Sequence, residues 1–173
     1  MIYAFSTLGE GASSDASRFY RCVEEAVSPH PVCWTLIGDH FSDQSPKRID
    51  VDWSLQSIPD SPQRDIGIDL DIWIDRFGGD SRRRHGGASD KIRRYANFIR
   101  NRFDEAKPSL VLVSSNSVPH TGIPFDVARK IGVPVAAIER GYLPQTFQIS
   151  DYGSGPFSQW SDRSLTELVT DAN

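Results

Sequence analysis

Lys107-Pro108-Ser109-Leu110-Val111-Leu112-Val113 and, further on, Ile131-Gly132-Val133-Pro134-Val135-Ala136-Ala137-Ile138-Glu139-Arg140-Gly141 decide how this chain reads. Each contains a short apolar run bounded by proline or glycine, the pattern of a strand buried on both faces. Between them, Phe125 to Ile131 is spaced as a helix that Gly132 ends. Two buried strands joined through a helix form a β-α-β unit, a connection that pairs its strands in parallel.

The same alternation extends outward. Ile2 to Ser6 reads as a first strand and Leu8 to Gly11 as the turn after it. Ser13, Ser14 or Asp15 can cap a helix running to about Val27, with Phe19, Cys22, Val23, Ala26 and Val27 on its apolar face. Pro29 and Pro31 end it, and Val32 to Ile37 follows as a strand. Ser89 is placed to cap a helix to about Ala106 that buries Ile92, Tyr95, Ala96, Ile99 and Phe103.

In between, Ile49 to Trp53 suits a further strand and residues 54–65 a loop. Residues 66–77 fit both an alternating strand and one helical face, and the Gly78-Gly79 stop favours a helix from about Leu70. The expected fold is α/β: a Rossmann-like, open, mostly parallel sheet flanked by helices over residues 1–160, with residues 161–173 as a tail or short helix.

With 19 basic against 23 acidic residues and a net charge of −4, the chain carries no electrostatic drive toward nucleic acid. Cys22 and Cys33 match neither a disulfide framework nor a metal-ligand set, so reduced thiols in a cytoplasmic protein are expected. No apolar run approaches the roughly 20 residues of a membrane span, which leaves at most peripheral membrane association.

In an open parallel sheet, ligands sit beyond the carboxyl ends of the strands. Three such ends gather candidate residues. Gly9 and Gly11, around Glu10, let the backbone approach a ligand closely, and also suit an ordinary turn. Ser114-Ser115-Asn116-Ser117 and His120 offer hydroxyl, amide and imidazole groups; without Gly-x-Ser-x-Gly they do not read as a hydrolase nucleophile turn. Glu139, Arg140, Gly141 and Tyr142 follow a buried strand directly, so the Glu139 carboxylate is expected to face a site.

Two Asp-x-Asp pairs, Asp50/Asp52 and Asp69/Asp71, supply too few oxygens for a hard cation, and no metal is expected. The Arg82-Arg83-Arg84-His85 run suits either an anion-binding loop or a solvated face.

Glu139-Arg140-Gly141-Tyr142-Leu143-Pro144, followed by Phe147-Gln148-Ile149 and Asp151-Tyr152-Gly153, resembles the Glu-x-Gly-Tyr/Phe-Leu-Arg-Pro region of bacterial capsule polysaccharide synthesis proteins, among them the transferases of 3-deoxy-D-manno-oct-2-ulosonic acid (Kdo). The resemblance covers about residues 88–158. It implies the amino-terminal half of a GT-B-type glycosyltransferase, with Glu139 as catalytic acid/base or electrostatic partner; the three strand ends are expected to turn Gly9, Gly11, Ser115, Asn116, His120, Arg140, Gly141 and Tyr142 toward substrate.

It further implies a glycan acceptor, a nucleotide-sugar donor such as CMP-Kdo, no resident cofactor, and a second domain or polypeptide completing the site. The alternative expectation is a non-catalytic glycan- or nucleotide-binding assembly module of the same fold.

Overall fold

The computed structural model describes residues 1–7, 13–38, 47–51, 55, 58–79, 87–140 and 146–153. The elements run β1 (Ile2–Ser6), α1 (Ser13–Ala26), β2 (Val32–Gly38), β3 (Lys47–Asp50), α2 (Asp71–Gly79), α3 (Ala88–Ala106), β4 (Leu110–Val113), α4 (Pro119–Lys130), β5 (Val135–Arg140) and β6 (Phe147–Ser150). One sheet has the order β3-β2-β1-β4-β5-β6. The first five strands are parallel and β6 is antiparallel to β5. The order 3-2-1-4-5 is that of a doubly wound sheet, whose chain leaves β1 toward one edge and returns at β4 toward the other.

Side-chain alternation along the strands divides the core. Phe5, Ile37, Val111, Val113, Val135 and Ala137 share one cluster with α2, α3 and α4; the rings of Phe5 and Phe103 meet edge-on at 5.1 Å. Ala4, Trp34, Leu36, Leu112 and Ile138 form the other with Phe19, and Tyr20, Val23 and Phe147 pack against it. Helices thus cover both faces, as runs of apolar residues in these strands require.

The ambiguous stretch resolves as the helix, which begins at Asp71, one residue after the expected Leu70; Ile66 and Leu70 are buried in the irregular segment before it. Two local turns shape the approach: the Asp65 carboxylate accepts the Gly67 N–H, and the Asp69 carboxylate accepts the Asp71 N–H, both at 2.9 Å. α2 packs on α3 and α4.

Several expected boundaries move. Ser89 is not the cap of α3: Gly87, at φ 96°, holds that position, and the Ser89 hydroxyl accepts from Arg93 Nε at 3.2 Å. β3 lies at residues 47–50, two residues ahead of the expected start. β5 starts at Val135 because Gly132 and Val133 close α4: Gly132, at φ 76°, donates to the Arg129 carbonyl and Val133 to that of Ala128. Glu139 and Arg140 are therefore strand residues, and β6, absent from the sequence reading, pairs with them.

The largest displacement is in α4, expected from Phe125 but beginning at Pro119. Pro119 occupies the first helical position, where its fixed φ is favourable and no amide is needed. Pro124 then lies inside the helix, where it lacks the N–H that would reach the His120 carbonyl. The Tyr95 hydroxyl donates to that carbonyl instead, at 2.7 Å.

Candidate functional site

The chain changes direction between β1 and β4, and their carboxyl ends are fastened together. Thr7 N–H donates to the Leu112 carbonyl at 3.0 Å, and the Thr7 hydroxyl accepts the Ser114 N–H at 3.1 Å. Ser6, fully buried, accepts a hydrogen bond from the Tyr20 hydroxyl at 3.1 Å, which ties α1 to the same strand end. Thr7 and Tyr20 were not singled out from sequence, since their part depends on which strands are neighbours.

Beyond this point the β4–α4 segment folds on itself. Ser115 Oγ accepts the Ser117 N–H at 3.2 Å and lies 2.8 Å from Ser117 Oγ, while Asn116 between them is buried. Val118 precedes the helix in extended conformation, and its carbonyl receives the N–H groups of Thr121 and Gly122 and the Thr121 hydroxyl. This puts half-buried His120 in the first turn of α4, at the sheet's carboxyl edge.

Glu139 is half-buried near the end of β5. The last β4–β5 pair is Val113 with Ala137, so Glu139 lies two residues past it on β5 and Ser115 two residues past it on the segment that leaves β4. On its other side Glu139 pairs with Gln148 of β6, and Arg140 pairs with Phe147. Phe147 in turn meets the Phe19 ring edge-on at 5.4 Å, joining β6 to α1. The backbone at Glu139 is held by β6 while its β4 side faces the segment leading to His120.

The structure brings Ser115, Asn116, His120, Glu139 and the backbone of Arg140 to adjoining ends of β4 and β5. Gly9, Gly11, Gly141, Tyr142 and the run from Arg82 to His85 lie outside the described residues. Among the described residues no three His, Cys, Asp or Glu side chains converge as a metal-binding group.

A cavity of about 410 Å³ lies elsewhere, lined by residues 63–71 with Arg93 and Asn97 of α3. Gly67, on its wall, passes so close to Lys130, at the far end of α4 from His120, that an added Cβ would lie 2.6 Å from that side chain. Its polar groups are largely engaged in fastening the loop: Asn97 Oδ1 accepts the Arg64 N–H at 2.8 Å, and Asp65 and Asp69 close the two turns. The cavity sits on the helical flank, and the strand-end crevice remains the place where candidate groups gather.

Two titratable groups, on α4 and α3, are shifted by burial. Burial pushes the Asp126 carboxyl above the ordinary carboxylate range, against the Trp73 hydrogen bond and then the charges of Arg129 and Arg76. Burial also raises the Tyr95 hydroxyl, which therefore stays protonated as the donor to His120.

No protein-family model matches the chain, and no curated protein shows significant similarity to it. What the fold defines is a doubly wound α/β domain whose described candidate residues gather at the carboxyl ends of β4 and β5. Among the described residues no helix is long and apolar enough to cross a membrane.

Proposed function

We propose that the chain is the acceptor-side domain of a GT-B-type glycosyltransferase, acting in the cytoplasm in bacterial surface polysaccharide synthesis. The observation that carries this reading is that Glu139, near the end of β5, and Ser115, just past the end of β4, lie at adjoining strand ends, with His120 in the first turn of the helix that follows. Ser115, Asn116 and His120 offer the donors and acceptors that sugar hydroxyls need. Gly9, Gly11, Arg140, Gly141 and Tyr142 complete the substrate side in this proposal, and a second domain or polypeptide holds most of the nucleotide-sugar donor, CMP-Kdo or a relative.

In the proposed step an acceptor hydroxyl oxygen bonds to the anomeric carbon while the bond from that carbon to the donor phosphate breaks. The bonding pair leaves with the nucleotide, and the hydroxyl proton passes to the Glu139 carboxylate. The same negative charge favours the oxocarbenium-like transition state.

Titrating the ¹⁵N-labelled chain with an acceptor oligosaccharide and with CMP-Kdo tests the binding part. Shifts concentrated at residues 114–120 and 138–140 support the proposal, whereas shifts confined to the 63–71 cavity contradict it. Binding at the crevice without transfer, even with the donor-holding polypeptide present, would assign the chain to glycan binding or assembly.

A further inference from the structure

A wholly buried tyrosine hydroxyl is costly unless it finds a partner, and so is a buried helical carbonyl without a donor. Tyr95 and the His120 carbonyl meet each other's need. Tyr95 is 0% exposed in the middle of α3, and its hydroxyl lies 2.7 Å from the His120 carbonyl. That carbonyl would ordinarily receive the N–H four residues on, but residue 124 is proline.

We infer that Tyr95 is a positioning residue for His120: through the carbonyl that Pro124 leaves without its helical donor, it fixes the first turn of α4 and so the imidazole at the crevice. The inference deepens the proposed function and rests on it for the role of His120 toward ligand.

The geometry favours positioning over mere core filling. Tyr95 belongs to the apolar cluster between the sheet and the helices, where phenylalanine would fill the same space without a polar atom. The hydroxyl reaches the residue of α4 that carries the candidate ligand-contacting side chain. Other contacts hold neighbouring positions: the Val118 carbonyl takes the amides of Thr121 and Gly122, and Trp73 lies against Gly122. None of these bonds reaches the His120 carbonyl.

The test reads His120 without any ligand. Tyr95→Phe removes only the hydroxyl. Tyr95→Phe combined with Pro124→Ala returns an N–H to the position from which the His120 carbonyl can be reached within the helix. Side-chain NMR of the four histidines, with His120 identified by its loss in His120→Gln, follows the imidazole, and amide hydrogen exchange follows residues 121–123.

In Tyr95→Phe the His120 signal is expected to shift and exchange in the first turn to accelerate about tenfold, the size of one lost hydrogen bond. The double variant is expected to return both toward the starting values. An unmoved His120 signal in folded Tyr95→Phe, or no recovery in the double variant, overturns the inference. If Tyr95→Phe does not fold, folding of the double variant supports the inference and its failure to fold overturns it.

The functional reading has a separate readout. If His120→Ala leaves oligosaccharide binding unchanged while the Tyr95 experiments behave as expected, the positioning stands and the ligand role of His120 falls.

Discussion

The indole of Trp73 occupies the space in which a side chain on Gly122 would begin: a Cβ on that glycine would lie 2.0 Å from Trp73 Cη2. The indole N–H donates to Asp126, one turn further along α4, at 2.8 Å, and the Arg76 guanidinium lies 4.9 Å from the ring centre. One aromatic side chain thus fastens α2 onto the helix that presents His120.

Gly122→Ala tests that contact. Helix propensity alone would favour alanine by about 1 kcal/mol. The collision with a buried indole opposes this with about 1–3 kcal/mol or more, so net destabilisation in urea unfolding is expected. Adding Trp73→Leu should recover part of the loss, making the two changes less than additive.

Asp126→Asn separates charge from hydrogen bonding, because the amide oxygen can still accept from Trp73. The native pKa of Asp126 is raised, so its ionised form disfavours the native state. Its stabilising contribution is fully present below the unfolded pKa of about 3.9 and is lost as pH rises through the higher native value. The asparagine variant should gain stability relative to the parent at neutral pH, and the advantage should shrink as pH falls through that window. Denaturant midpoints measured from pH 4 to 8 check this.

Gly132 makes a contrasting case, since an added Cβ there meets nothing within 4 Å and only its φ of +76° resists substitution. Gly132→Ala should cost about 1 kcal/mol, the left-handed backbone penalty less the entropy gained in the unfolded chain. Thermal unfolding measures it, and Gly132→Asn should cost less than Gly132→Ala.

Asn97, buried in α3, accepts from Arg64 N–H and donates to the Arg93 carbonyl at 2.9 Å. Asn97→Ala leaves the Arg64 amide without that acceptor and should destabilise by about 1–3 kcal/mol. Hydrogen exchange should accelerate first at Arg64 and its neighbours, with the strand-end crevice unaffected.

The strands and most helices were legible because burial imposes its period on the residues themselves. Leu110 to Val113 and Val135 to Ile138 have few other homes, and the apolar stripe of α3 repeats at helical spacing. The start of α4 was not legible: Pro124 looks like a barrier until Tyr95, 29 residues earlier, supplies the missing donor. Nor was β6, a four-residue edge strand with exposed Gln148 and Ile149. Glu139 could be placed near a strand end because an apolar run gives way to charge there. Its place beside the end of β4 needed the pairing of β4 with β5, which no local pattern carries.

The most direct test of the central claim is transfer of sugar from CMP-Kdo to an acceptor oligosaccharide, comparing Glu139→Gln with the parent chain, each with the donor-holding domain or polypeptide. A carboxylate that takes the acceptor proton predicts a loss of about 10²- to 10⁴-fold in kcat with the fold intact. An unchanged kcat in Glu139→Gln would contradict the account.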